Sequence, residues 1–260
     1  RKQETERLVR NFSSGVNTIL ISPRRWGKTS LVVYSADLTK KKNKDIRFCF
    51  VDLNNVRTEE QFYRYFAAAV LRSSANRVSE LLDNARKFLG RFIPNVTFSP
   101  GPDSEFRLSM NWEEVKRSPE DVLNFAERIG SEKKIRIIVC IDEFQNISGF
   151  DDPAGFQKKL RAQWQTHRMA SYCIYGSKRH MLMDVFASPS MPFYKFGDIL
   201  FLEKISANDW ISFIRKRFAQ TGKTIESKDA ILIAELADCH PYYVQQLAQL
   251  AWLDRKSTRL

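Results

Sequence analysis

Between a short apolar run, Thr18 to Ile21, and a stretch with helical patterning lie nine residues, Ser22-Pro23-Arg24-Arg25-Trp26-Gly27-Lys28-Thr29-Ser30. Strand, loop and helix in that order constrain this chain more than any other feature. The loop matches G-x-x-x-x-G-K-[ST] at Gly27, Lys28 and Thr29 and departs from it at the first position, where Ser22 stands in place of glycine. Unpaired N–H groups of such a loop, and the dipole of the helix it opens, attract anions. The whole segment, from Ser22 through Pro23, Arg24, Arg25, Trp26 and Gly27 to Ser30, is therefore expected to cradle nucleotide phosphates. Lys28 is expected to reach the β- and γ-phosphates and Thr29 to ligate Mg²⁺.

A second pattern complements the first. Arg136 to Ile141 is an apolar run followed at once by Asp142 and Glu143, as in a buried parallel strand ending in two acids. Ligand sites of open α/β sheets lie at that carboxyl edge. Asp142 is expected to hold the Mg²⁺ through water, and Glu143 to orient and deprotonate an attacking water. A third strand, Ser171 to Tyr175, runs into Gly176-Ser177-Lys178-Arg179, which puts Ser177 or Lys178 where a polar group could sense the γ-phosphate. No Asn-Lys-x-Asp follows a late strand, so guanine selectivity has no support. Thr221-Gly222-Lys223-Thr224 ends an amphipathic helix with no strand before it and reads as a helix stop.

Strands at Thr18 to Ile21, Arg47 to Leu53, Ile137 to Ile141, Ser171 to Tyr175 and Ile199 to Leu202 alternate with helical patterns. The fold class is α/β, a parallel sheet flanked by helices. Thr58-Glu59-Glu60-Gln61 is a capping box, and Ser118-Pro119 opens a helix expected to run to Gly130. Residues 94–112, rich in Pro, Gly and β-formers, read as a hairpin inserted between helices. After residue 203 only helical patterns remain, giving residues 1–203 as a nucleotide-binding domain and 204–260 as a small all-helical lid.

At 260 residues and 43% hydrophobic, the chain can bury a sizeable core, and no apolar stretch approaches the length of a membrane span. Cys49, Cys140, Cys173 and Cys239 lack metal-ligand spacing and read as buried thiols of a cytoplasmic protein. The net charge of +12 attracts phosphates of any kind, but its basic residues are dispersed along the chain.

Further residues fit one family. The chain resembles the archaeal-type ATPases of prokaryotes, a branch of the STAND class of AAA-like P-loop NTPases. The resemblance runs through Arg1-x-x-Glu4-x-x-x-Leu8, Pro23-Arg24-Arg25-x-Gly27-Lys28-Thr29-Ser30-Leu31, Ile141-Asp142-Glu143-Phe144-Gln145, Gly176-Ser177, Pro192-Phe193-Tyr194 and His240-Pro241-Tyr242-Tyr243. It implies an ATP-driven switch whose helical lid closes on the base, with Pro241 approaching the adenine and Lys195 standing where relatives often carry an arginine near the phosphates. It also implies a C-terminal winged-helix or effector domain, before which this chain is expected to stop, and an unknown protein effector. Ser22 departs from the family glycine and is expected to restrict the loop's φ; Cys239 stands where class members have glycine.

Three functions fit these residues: Mg·ATP hydrolysis, with Glu143 as base and Lys28 as charge stabiliser; a nucleotide-gated interaction module with negligible turnover; and a DNA-associated ATPase. Arg24, Arg25 and Arg179 are candidates for an arginine finger acting between copies in a homo-oligomer.

Overall fold

A computed structural model describes residues 1–75, 77–90, 96–98, 106–108 and 111–254. In chain order the elements are α1 (Lys2–Ser14), β1 (Thr18–Ile21), α2 (Lys28–Lys42), β2 (Ile46–Asp52), α3 (Glu59–Ser74), α4 (Val78–Leu89), β3 (Val96–Phe98) and β4 (Phe106–Leu108). They continue with α5 (Trp112–Arg117), α6 (Pro119–Leu123), α7 (Phe125–Lys133), β5 (Arg136–Asp142), a 3₁₀ helix (Phe144–Gly149) and α8 (Pro153–Trp164). β6 (Ala170–Gly176), α9 (Arg179–Ala187), β7 (Asp198–Phe201), α10 (Ala207–Ala219), α11 (Ser227–Leu236) and α12 (Pro241–Asp254) complete the order.

Five strands form one parallel sheet in the order β2-β5-β6-β1-β7. Every residue of β1 and β6 is buried, because helices cover both faces. Alternate side chains divide between two apolar layers. Ile19, Ile21, Val139, Ile141, Tyr172 and Ile174 meet Phe62 and Phe66 of α3 and Phe156, Leu160 and Trp164 of α8. Leu20, Ile138, Cys140, Cys173 and Tyr175 meet Leu8 and Phe12 of α1 and Leu31, Val32 and Ala36 of α2. The β1-to-β2 connection crosses the sheet in one direction and the later ones return, so right-handed crossovers put their helices on opposite faces. A third cluster, with Trp210, Ile214, Phe218, Ile233 and Val244, lies within α10, α11 and α12.

The structure departs from expectation in several places. α1 was not anticipated as a helix, since its apolar positions are sparse; Leu8 and Phe12 are the buried ones. The helix expected from Ser118 to Gly130 is broken at Asn124 into α6 and α7. Asn124 Nδ2 donates to Gln163 Oε1 at 2.9 Å, and its Oδ1 lies 2.7 Å from His167 Nε2. An amide oxygen only accepts, so His167 Nε2 carries the proton and Nδ1 accepts from the Tyr172 hydroxyl at 2.8 Å. Within the 94–112 segment, β3 pairs antiparallel with β4; the residues joining them, 99–105, fall outside the described ones.

Candidate functional site

Register brings three chain segments to one edge of the sheet. Ile21 pairs with Gly176 and Ile141 with Ile174, so the residues after β1, β6 and β5 emerge side by side, with β6 in the middle. Thr29 Oγ1 donates to Asp142 Oδ2 at 2.7 Å. Lys28, 6% exposed, has its ammonium 4.0 Å from Glu143 Oε1. The other Glu143 oxygen, Oε2, accepts from Ser177 Oγ at 2.9 Å, from Ser177 N at 3.3 Å and from Gln145 Nε2. Lys178 caps the start of α9, exposed and without a bond to the acids, so of the two candidates after β6 it is Ser177 that meets Glu143.

The acids sit in a strained turn. Glu143 has φ 51 and ψ 41, left-handed backbone that a non-glycine residue enters only at a conformational cost. Its N–H bonds back to Asp142 Oδ1 at 2.8 Å. Gln145, whose role the sequence reading missed, is buried directly against Gly176: a Cβ there would collide with the Gln145 amide oxygen. Glycine at the end of β6 is thus the condition for Gln145 to reach Glu143.

Environment pushes the two carboxyls apart. Burial raises Asp142 above the ordinary carboxylate range, outweighing the hydrogen bonds from Thr29 and the Glu143 N–H and the Lys28 charge. Burial also opposes ionisation of Glu143, but hydrogen bonds from Gln145 and Ser177 and the Lys28 charge together hold it below its usual value.

In the loop, Gly27 has φ 84 and Arg25 φ 63. Ser22 is not among the left-handed residues, so the expected restriction by its side chain does not occur. Its hydroxyl lies 3.1 Å from the Pro23 carbonyl oxygen and it is 1% exposed. At Gly27 an added Cβ would meet nothing within 4 Å, so the glycine serves backbone conformation rather than space.

The loop touches the C-terminal helices. The Arg25 guanidinium lies 4.5 Å from the Tyr242 ring centroid, and the Trp26 and His240 rings meet edge-on at 6.2 Å. Pro241, buried, opens α12 immediately beside this contact, and Cys239 has φ 56, conformation that explains a glycine preference there. Arg1, whose contacts were not foreseen, donates to the Glu203 carbonyl at 2.7 Å and the Trp26 carbonyl at 3.3 Å. Arg179, exposed, lies over the Phe201 ring at 5.0 Å, beside the loop edge. Arg24 and Ser30 are exposed around the loop.

Lys195 is not part of this site. It precedes β7, whose first residue Asp198 pairs with Thr18, and the Phe196 carbonyl accepts from Asn17 at 3.3 Å. That is the opposite edge, a strand length of roughly 10 Å from the loop in backbone rise alone. Its ammonium lies over Tyr194 at 5.3 Å.

Solved structures match nearly the whole of this chain, in which β6 lies between the loop-bearing β1 and the acid-bearing β5. A Walker-type ATPase of Pyrococcus abyssi superposes with a TM-score of 0.66 at 17% identity, over 98% of this chain and 71% of that one. The fold is that of the P-loop NTPases. Two structures from Aeropyrum pernix also match: the ORC2 protein in ADPNP–ADP complexes (TM-score 0.55, 14% identity, 98% of this chain, 69% of that one) and the ORC1 protein in complex with DNA (0.58, 15%, 98% and 61%). No protein-family model and no curated protein matches the sequence. Among the described residues of this P-loop fold, no helix is long and apolar enough to cross a membrane.

Proposed function

We propose that the chain binds Mg·ATP in the loop from Ser22 to Ser30 and hydrolyses it to ADP and phosphate. The observation that carries this reading is the Thr29–Asp142 hydrogen bond, 2.7 Å, set beside a buried Lys28 whose nearest carboxylate is 4.0 Å away. A buried ammonium without a close counter-charge calls for an anion. A hydroxyl paired with a carboxylate is the small oxygen donor set that suits magnesium, which keeps most of its waters.

In this reading Lys28 binds the β- and γ-phosphates, and Thr29 and Asp142 hold the metal, which supplies charge neutralisation on the phosphates. Glu143 orients and takes a proton from water at its Oε1, the oxygen not engaged by Ser177 and Gln145. Ser177, fixed to Glu143, reports the state of the phosphate end to α9. Pro241 and the Trp26–His240 contact border the base, so nucleotide would alter how α12 sits on the loop. The shared P-loop fold, with one structural neighbour named as a Walker-type ATPase, supports hydrolysis over binding alone, and the STAND-like switch, a cytoplasmic setting, a homo-oligomer and a protein effector belong to the same reading.

Single-turnover assays test it: ADP formation lost in Lys28→Ala and in Glu143→Gln is the expected result. Tight ATP binding with no ADP over hours would leave the gated module, and no Mg-dependent ATP binding would end both. DNA binding is a second reading, favoured by the +12 charge and by the ORC1 protein's complex with DNA. Its test is affinity for duplex or single strands that falls steeply with salt.

A further inference from the structure

Three unfavourable features of the fold meet at one carboxylate. Glu143 holds left-handed backbone, φ 51 and ψ 41, although it carries a side chain. Gln145, 2% exposed, donates its amide N–H to Glu143 Oε2. A carboxylate only accepts, so the Gln145 amide nitrogen must face Glu143 and its carbonyl oxygen must face the other way, against Gly176. That oxygen is buried and has no hydrogen-bond partner. The end of β6 is shaped around it: a Cβ on Gly176 would collide with it, and would lie 3.2 Å from Leu182 Cδ1 on the far side.

None of the three favours folding. Left-handed backbone at a residue with a side chain, an orphaned buried acceptor and a glycine within a buried strand each lower stability. An apolar side chain of equal length at 145 would remove the orphan. What the three features secure together is the orientation of Glu143. Ser177 holds the same Oε2 through its hydroxyl at 2.9 Å and its N–H at 3.3 Å, from the end of β6. The last torsion of a glutamate side chain is soft, so donors on one side alone leave the carboxylate free to turn. Gln145 grips it from the 3₁₀ helix as well, which leaves Oε1 as the oxygen toward Lys28, 4.0 Å from its ammonium.

We propose that Gln145, seated by Gly176, is a positioning residue for hydrolysis: it fixes the rotation of the Glu143 carboxylate so that Oε1 meets the attacking water. The water then gives a proton to Oε1 and its oxygen to the γ-phosphorus, while the β,γ-bridging oxygen leaves on ADP. The inference rests on the hydrolytic reading above and extends it to a residue that touches neither nucleotide nor metal.

Steady-state kinetics, Mg·ATP titration and thermal melts of the intact chain test it. Gln145→Met, similar in length but without a donor, is expected to lower kcat about tenfold or more and to leave KM and Kd for Mg·ATP within about threefold. Its melting temperature is expected within about 3 °C of wild type or above it, which a merely structural glutamine would not allow. Gly176→Ala, which displaces the amide, is expected to lower kcat to a similar degree. In a Gln145→Ala background the same glycine substitution is expected to cost no further turnover, since the group it displaces is gone.

Unchanged kcat in Gln145→Met, a loss confined to KM, or losses that multiply in the double variant overturn the proposal. A Gln145→Met chain that melts far below wild type makes the glutamine a structural residue and overturns it too. If Gly176→Ala does not fold, Gln145→Met decides alone. Wild-type turnover matched by Gln145→Met ends this inference and leaves the hydrolytic reading standing, whereas a wild type that binds Mg·ATP without turnover ends both.

Discussion

Thr29 Oγ1 and Asp142 Oδ2 meet at 2.7 Å although the strands that deliver them, β1 and β5, are separated by β6. The bond sets the loop hydroxyl directly against the carboxylate that ends β5. Thr29→Ala is expected to weaken Mg-dependent ATP binding about tenfold, roughly 1.4 kcal/mol, with little change in binding of ATP in EDTA. Equal loss with and without magnesium would contradict the assignment.

Asp142→Asn separates function from stability. Burial raises this carboxyl's folded pKa, so the folded state holds its proton more tightly than the unfolded state, and stability falls as pH rises from the ordinary carboxylate range through the raised value. Near neutral pH the ligand-free variant is expected to melt at or above the wild-type temperature while losing magnesium-dependent binding. Thermal melts from pH 4 to 8 check the sign.

Glu143 is held below its usual pKa by the groups that grip its Oε2, which makes it a restrained base. Glu143→Gln is expected to keep ATP affinity and remove turnover. Ser177→Ala is expected to change the turnover rate with a KM for ATP within about threefold of wild type, because Ser177 acts through Glu143 rather than on the phosphates. A large rise in KM alone would assign Ser177 to ground-state binding.

Ser22→Gly restores the motif glycine, yet Ser22 already sits outside the left-handed region. The substitution is expected to leave ATP affinity within about twofold and to destabilise the fold by roughly 0.5–1 kcal/mol through added unfolded-state freedom. Denaturant melts and nucleotide titration measure both; markedly tighter binding would mean that the serine does hinder the loop.

His167 is neutral in the fold: burial lowers its pKa to about 4, although the Glu127 charge opposes this. Its unfolded value is near 6.5, so the unfolded chain binds more protons between about 4 and 6.5. The Asn124–His167–Tyr172 network therefore contributes fully above 6.5 and is lost as pH falls toward 4. The melting difference between wild type and His167→Gln is expected to shrink across that window, and a pH-independent difference would refute the account.

Much of this was legible because it is local. Gly27-Lys28-Thr29 and the run ending in Asp142-Glu143 carry their chemistry in adjacent residues, and strands buried on both faces read as apolar runs. What escaped depends on contacts between distant residues. The break at Asn124 is fixed by Gln163 and His167, the grip of Gln145 on Glu143 by the missing side chain of Gly176, and the distance of Lys195 from the phosphate loop by the register of β7 on β1. The left-handed Glu143 has no signal of its own, since neither glycine nor asparagine marks it.

The intervening strand β6 also bears on how the chain acquires its pocket. Both signature motifs are synthesised by residue 143, yet the strand that spaces them ends only at Gly176. A nascent chain released before that point would carry lysine, threonine and both acids with nothing to hold them in register. The register between the two motifs thus requires β6 in place between β1 and β5, and the long-range parallel pairing this involves makes slow folding the expected rate signature.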